Sequence, residues 1–234
     1  MRNITDLEAV KSVARSFVYT DVHIDSRTGF IVSHPFIETV ACAVKKDGKF
    51  ALMDVRKPDE LQEIRKSILA DIERVANYQQ FTIIVRPAYM PAFFKYTMKH
   101  LSSKDYAEFL SSMWTRMELP NVDVNITAPE FIKIFREADK AVLMDEDEYK
   151  DYEALPEEFT VYRGIRGRGS LQALSWTLDK SKAERFANRW DKNGRVYSAR
   201  IYKKDTFAYF SSRSESEIVL DYTKLKDISL EEKE

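Results

Sequence analysis

The sequence predicts an α+β protein in three successive parts, and three observations indicate this class. Apolar residues on both sides of an Asp47-Gly48 turn predict a β-hairpin near the start. Helix-start signals followed by apolar residues at helical spacing mark the middle. Four of the six glycines lie between short strands in the last third. We therefore expect a ββαβ-like part over 1–100, a helical segment over 101–157 and a sheet module over 158–234.

The N-terminal part has four predicted elements. Apolar residues fill 37–44 and return over 50–55, which gives the two strands of the hairpin. Pro58 opens a helix with an apolar stripe that continues to Val75. The apolar run 81–85 predicts a buried strand. We find no catalytic signature in this part, and its role stays open. Three histidines share no metal-ligand spacing: His23, His34 and His100.

The helical segment has three predicted helix starts. Ser102 suits an N-cap, Thr127 with Glu130 forms a capping box, and Asp145 caps a third helix. The acidic run after Asp145 matches a helix dipole, and an acidic binding tail is the alternative. We expect this segment to pack on the module that follows it.

Composition restricts the classes of function. With 37 Lys and Arg against 38 Asp and Glu, the net charge of −1 gives no field for a polyanion. A nucleic-acid partner is therefore not expected from charge, although local basic patches remain open. Cys42 is the only cysteine, so no internal disulfide forms. The first residues lack a signal-peptide core, and no apolar run reaches the roughly 20 residues that span a bilayer. We expect a cytoplasmic, soluble protein without a membrane partner.

The last part places polar side chains on predicted strands. Residues two apart on a strand share a face, so Ser175 and Thr177 point the same way. Glu215 and Glu217 share a face of a predicted strand, 215–222, among apolar neighbours. The solvated outer face of an edge strand is the alternative for this pair of carboxylates.

Arg163 directly follows another predicted strand, 159–162, and begins a short linker of Gly, Arg and Ser. Four short motifs then follow one another: Arg163-Gly164, Ser175-Trp176-Thr177, Phe186 on a helix capped by Asp179, and Glu215-Ser216-Glu217. Their order resembles the arginine–serine–glutamate class of mono-ADP-ribosyltransferases, which includes bacterial toxins and phage-encoded enzymes. The resemblance covers about residues 158–223.

The resemblance implies a split-sheet module that cleaves NAD and transfers ADP-ribose to a protein side chain, with arginine as the expected acceptor. Glu217 matches the catalytic glutamate, which stabilises an oxocarbenium-like state. Ser175 matches the serine that orients this glutamate, and Thr177 supports it. Arg163 offers a planar fork of donors that suits a pyrophosphate. A surface arginine beside a turn is the alternative for Arg163.

The other contacts to NAD are implied in the same way. Gly164 matches the position whose backbone pairs with the carboxamide of NAD. Phe186 matches an aromatic that stacks on nicotinamide, although a core position on its helix suits it equally. The linker with Arg166 and Arg168 wraps the phosphates in this interpretation. A tight solvated loop and an RNA-binding segment are the alternatives for the linker.

The resemblance also implies an acceptor side. Glu215 matches the residue that faces the acceptor, where a carboxylate suits a guanidinium by bidentate pairing. Residues 203–214 occupy the position of an acceptor-recognition loop and include Tyr209 and Arg213. Aromatic residues in this loop are functional if they are exposed and belong to the packing if they are buried.

The partners implied are NAD, as a substrate, and a protein acceptor, without a metal. A phage or prophage protein that acts in the host cytoplasm fits this class. Two alternatives share the same site: an NAD glycohydrolase with water as acceptor, and an inactive module that binds NAD or ADP-ribose. A structural protein in which the motifs are coincidental is the third alternative.

Overall fold

The computed structural model describes residues 3–46, 48–117, 123–167, 169–189, 193–211 and 215–232. The chain divides into two compact units, Met1–Met117 and Glu118–Glu234. Both units contain helices and strands, which confirms the α+β class. Within the described ranges, none of the helices is long and apolar enough to cross a membrane.

The first unit is mainly helical. Its helices are α1 (Leu7–Phe17), α2 (Pro58–Arg74), α3 (Phe81–Ile84), α4 (Met90–Thr97) and α5 (Ser103–Arg116). Its strands form two antiparallel pairs, β1 (His23–Ile24) with β2 (Val32–Ser33) and β3 (Ala41–Lys46) with β4 (Lys49–Asp54). The β3–β4 pair is the predicted hairpin, and Gly48 has the positive φ of +78° that its turn requires. Asp47 lies outside the described residues.

Residues 81–85 form helix α3 and its C-cap, so the predicted strand is wrong and the ββαβ pattern lacks its last strand. Phe81 and Val85 are buried, whereas Ile83 between them is 81% exposed. This burial at a spacing of four is typical of a helix. A run of five apolar residues has no period that separates a strand from a helix. The side chain of Asn77 caps the 3₁₀ turn that leads into α3.

Helix α5 packs in the first unit, although the sequence assigned it to the middle segment. The ring of Phe109 lies 4.8 Å from that of Tyr78 and 5.7 Å from that of Phe94, measured between centroids. Ser102 caps α5 as predicted, since its hydroxyl accepts from the backbone N–H of Asp105. The boundary falls after Met117 rather than after residue 100, because aromatic packing joins α5 to the helix before it.

The second unit places helices beside one sheet. The helices are α6 (Ala128–Glu137), α7 (Lys140–Leu143), α8 (Glu146–Glu153) and α9 (Lys180–Ala187). The strands are β5 (Glu158–Ile165), β6 (Ser175–Thr177), β7 (Arg195–Tyr202), β8 (Thr206–Phe210), β9 (Glu217–Leu220) and β10 (Lys226–Leu230). They form an antiparallel sheet in the order β10-β7-β5-β6-β9-β8.

The helices α6, α7 and α8 pack within this second unit. Arg136 of α6 forms an ion pair of 2.8 Å with the buried Asp221 that follows β9. Lys140 of α7 donates to the carbonyl of Thr206 on β8 at 2.8 Å. Thr127 begins α6 with the predicted capping box, and the predicted N-cap Asp145 begins α8 and also forms a capping box. The part of the helical segment that follows Met117 therefore supports the sheet.

His34 is a buried titratable group of the first unit. Its Nδ1 accepts from the N–H of Phe36 at 3.1 Å, and its Nε2 lies 3.3 Å from the carbonyl oxygen of Val18. This pairing leaves the proton of the neutral ring on Nε2. Burial, together with the charges of Arg65 and Arg86, lowers the pKa of His34 to about 4.

The free energy of unfolding should therefore fall as the pH drops from 6.5 to about 4. Over this window the unfolded chain binds a proton that the folded His34 does not, so acid favours unfolding. The loss from this residue should reach about 2–3 kcal/mol near the lower end. Urea denaturation at a series of pH values measures it.

The matched variants are His34→Gln and His23→Gln, because His23 is exposed. The first should flatten the dependence on pH, and the second should retain it. A native pH dependence in His34→Gln would contradict the assignment.

Candidate active site

The six-stranded sheet is divided between β5 and β6. In the described residues these strands share one residue pair, Tyr162 with Thr177. Along its other edge β5 pairs with β7 over its whole length, in eight residue pairs. β6 continues along β9, where three pairs join them. The halves β10-β7-β5 and β6-β9-β8 are therefore joined at one point, and a split begins beside it.

Arg163 follows Tyr162 and lies where the two halves separate. Its Nε donates to the carbonyl of Ser170 at 3.0 Å, and its Nη1 donates to the carbonyl of Ser175. Two of the five N–H donors of the guanidinium thus bind backbone oxygens on the far side of the split. These bonds replace strand pairing and hold β5 to the segment that leads into β6.

Arg163 is partly buried and interacts electrostatically with the carboxylate of Glu217. Burial lowers the pKa of Arg163 to about 10, and the negative charge of Glu217 opposes this shift. Since about 10 is far above neutral pH, the guanidinium is charged at pH 7. The structure therefore brings Arg163, Ser175 and Glu217 together at one junction, although they are far apart in the sequence.

Glu217 is the first residue of β9 and pairs with Thr177 on one side and Phe210 on the other. Ser175 pairs with Val219 on the same two strands. Paired residues of antiparallel strands point to one face, so Ser175, Thr177 and Glu217 share a face. Trp176 is buried in the core on the opposite face.

Glu215 does not share the strand geometry of Glu217, so the predicted strand 215–222 begins two residues too early. Ser216 has a φ of +46°, in the left-handed region that is uncommon for a residue with a side chain. The hydroxyl of Thr177 donates to the carbonyl of Glu215 at 2.8 Å. The N–H of Leu178 donates to the carbonyl of Ser216 at 3.1 Å. A left-handed residue therefore precedes β9, and strand alternation does not extend back to Glu215.

Helix α9 packs closely on the Tyr162 face of the sheet. Ala183 and Ala187 are fully buried, with Tyr162 and Val196 against them. A Cβ at Gly164 would lie 2.0 Å from the carbonyl oxygen of Ala183. The glycine is therefore required by the approach of the helix, and a backbone contact of Gly164 to NAD stays a prediction.

Phe186 lies on the outer side of α9, where it is 38% exposed. It contrasts with Ala183 and Ala187, which face the sheet and are inaccessible. The core position that the sequence allowed for Phe186 is therefore not supported. Asp179 caps α9 as predicted, since its carboxylate accepts from the N–H of Ser181 at 2.9 Å.

The predicted acceptor loop, 203–214, contains strand β8. Phe207 and Phe210 are buried, and Tyr209 packs partly buried against the sheet core. By the burial criterion these aromatics belong to the packing, so an acceptor contact by Tyr209 is not supported. The run 206–210 pairs with β9, which the sequence did not reveal. Arg213 lies outside the described residues.

A cleft of about 910 Å³ adjoins the split on the side of the linker. Arg166, Gln172, Arg195 and Tyr197 line it, together with Ser170, whose carbonyl binds Arg163. Among the described residues, its lining includes neither Glu217 nor Phe186, so the cleft lies beside the junction rather than around it. Arg168 lies outside the described residues. The described ranges contain no cluster of His, Cys, Asp or Glu that could hold a metal ion.

The close contact at Gly164 predicts that Gly164→Ala displaces α9. The added Cβ meets backbone atoms of Ala183 and Ala187, which cannot rotate away. We expect a loss of stability in the upper part of the roughly 1–3 kcal/mol that overpacking costs, measured by urea denaturation. Gly169→Ala is the matched control, because its Cβ meets first the side chain of Ile165, at 2.7 Å. Equal losses in both variants would contradict the close approach of α9.

The chain matches no family model, no curated protein and no solved structure. Its function therefore has to follow from the residues at the junction and from the order of the motifs along the sequence.

Proposed function

We propose that this protein is an NAD-dependent mono-ADP-ribosyltransferase whose active site lies at the split between β5 and β6. The observation that carries the proposal is the convergence of Arg163, Ser175 and Glu217, from three different strands, at one junction. The sequence resemblance named the same three residues for this activity. The division of the sheet into two halves agrees with the split sheet that the resemblance implies.

The reaction breaks the bond between the nicotinamide nitrogen and C1′ of the ribose. Nicotinamide leaves with the electron pair, and positive charge develops on the ribose ring. In this proposal the carboxylate of Glu217 lies beside that charge. The acceptor then attacks C1′ and loses a proton. Preorganised electrostatic groups of this kind typically contribute about 10²–10³ in rate.

Arg163 has two tasks in the proposal. Its bonds to the carbonyls of Ser170 and Ser175 keep the split at a fixed width. Its remaining donors hold the pyrophosphate, next to the cleft that Arg166 and Arg195 line. A guanidinium suits phosphate oxygens because its donors form a planar fork.

Thr177 joins the two elements that flank the proposed site. Its hydroxyl donates to the carbonyl of Glu215 and accepts from the N–H of Asp179 at 3.1 Å. One side chain therefore fixes both the backbone before Glu217 and the start of α9, which carries Phe186. The exposed ring of Phe186 is the proposed stacking surface for nicotinamide.

An NAD glycohydrolase is the second candidate, and one observation favours it. The aromatics that were expected to recognise a protein acceptor are packed in β8, which leaves Glu215 as the described residue on the acceptor side. Water needs no recognition surface, so hydrolysis would proceed without one.

Incubation of the protein with NAD labelled in its adenylate part and a cell lysate separates the candidates. Label on a protein band indicates a transferase. Free ADP-ribose without labelled protein indicates a glycohydrolase. Neither product, with NAD still bound in a titration, indicates an inactive binding module.

The two glutamates should have separable roles. Glu217→Gln keeps size and hydrogen bonding but removes the charge, so transfer and NAD hydrolysis should both fall by about 10²–10³. Glu215→Gln should reduce transfer and spare hydrolysis, because only acceptor recognition is lost. Initial rates of nicotinamide release and of protein labelling measure the two activities. Glu157→Gln, exposed just before β5, is the control and should change neither rate. Equal loss of both activities in both variants would remove Glu215 from the acceptor side.

Binding of NAD should depend on Arg163 more than on Glu217. Loss of a charged hydrogen bond worth about 1.5–3 kcal/mol weakens binding about 10- to 100-fold, so Arg163→Ala should raise the Kd by this factor. Glu217→Gln should leave the Kd within about threefold, because Glu217 acts on the transition state. Calorimetric titration of NAD measures both. If Arg163→Ala binds NAD as the native protein does, the phosphate contact moves to Arg166 and Arg195.

A further inference from the structure

Lys182, on the first turn of α9, reaches Ser216, the residue between the two glutamates. Its Nζ donates to the hydroxyl of Ser216 at 2.7 Å and lies 3.6 Å from a carboxylate oxygen of Asp179. Its side chain is 19% exposed, which is low for a lysine. A flexible lysine held in this way loses rotamer freedom.

The residue that Lys182 contacts, Ser216, has a left-handed backbone. A left-handed residue that is not glycine persists when its surroundings determine it from several sides. Three bonds do so here, and two of them come from Thr177 and Leu178, at the end of β6. The bond from Lys182 comes from α9. It therefore couples the position of the helix to the backbone that leads into Glu217.

The same face of α9 carries the proposed stacking residue. Lys182 and Phe186 are four residues apart, so they are neighbours on one helix face. The adjacent face, about 100° around the helix, holds Ala183 and Ala187, and Gly164 and Gly194 allow both to lie close to neighbouring backbone. Because α9 packs closely on its neighbours, the bond from Lys182 ties Ser216 to a fixed position of the helix. Lys182 thus links the ring of Phe186 with the carboxylate of Glu217.

We propose that Lys182 is a positioning residue that sets the separation between Phe186 and Glu217, an inference that rests on the proposed function. It contacts neither NAD nor the acceptor in this assignment. A catalytic group displaced by about 1 Å can cost about 10²-fold in rate. Loss of the bond should therefore lower the rate of the chemical step more than it lowers the affinity for NAD.

The test compares Lys182→Met with Lys180→Met. Methionine keeps an unbranched stem and a high helix propensity while it removes the charge and the donor. Lys180 lies on the same helix but pairs with Glu231 at 2.9 Å, so its variant reports on the anchoring of α9 alone. For Lys182→Met we expect kcat for nicotinamide release to fall 10- to 100-fold, with KM for NAD within threefold. Lys180→Met should stay within threefold of the native kcat.

Two further variants separate positioning from stability. Lys182→Arg can still donate to Ser216 and should recover most of the lost kcat. Ser216→Ala removes the other partner, and the double variant with Lys182→Met should be no slower than the slower single variant, because one interaction is lost in all three. Amide hydrogen exchange at Ser216 and Glu217 should rise at least tenfold in Lys182→Met and stay native in Lys180→Met.

The outcomes are distinct. A native kcat in Lys182→Met, or an equal loss in Lys180→Met, overturns the inference while the proposed function stands. Additive losses in the double variant, or unchanged hydrogen exchange at Ser216 and Glu217, also overturn it. A native protein that binds NAD but releases no nicotinamide overturns the proposed function, and the inference with it.

Discussion

The guanidinium of Arg163 joins β5 to the segment that leads into β6, across the split in the sheet of the second unit. Where β5 and β6 part, Arg163 supplies donors to the exposed carbonyl of Ser170 and to the part-buried carbonyl of Ser175. A buried polar group without a partner costs about 1–3 kcal/mol. Taking this charge out of water is unfavourable, which is why the pKa of Arg163 falls, and the charge of Glu217 offsets part of the cost. One side chain thus fixes the split and attracts the carboxylate to it.

Gly164, the residue after Arg163, acts on the packing through the absence of a side chain. Gly164 has no side chain, so the backbone of α9 lies where a Cβ would be, and Gly194 provides the same clearance on the other side of Ala187. The guanidinium of Arg163 bonds to carbonyls across the split, and the missing side chain of Gly164 admits the helix. An arginine–glycine pair at this position follows from packing as well as from any contact with NAD.

Local signals in the sequence predicted local structure. The caps at Ser102, Thr127, Asp145 and Asp179 depend on atoms within three residues, and all four occur as predicted. Features that depend on distant partners were missed. Strand β8 exists because β9 pairs with it, and 81–85 are helical because aromatic residues of neighbouring helices bury Phe81. The order of the motifs predicted the three residues at the junction: Arg163, Ser175 and Glu217. The bonds of Arg163 to backbone carbonyls could not be predicted, because no sequence pattern indicates them.

The left-handed residue between the two glutamates explains how they could serve different purposes. On a regular strand, residues two apart lie roughly 7 Å from each other on one face, where like charges repel and raise each other's pKa. Ser216 breaks the alternation, so the side chain of Glu215 is not bound to the face on which Thr177 and Glu217 lie. The hydroxyl of Thr177 holds the carbonyl of Glu215 rather than its carboxylate. The backbone of Ser216 thus separates a carboxylate fixed in the sheet beside Arg163 from one that is free of strand geometry. In the proposed function, this separation lets Glu217 stabilise the cation while Glu215 meets the acceptor.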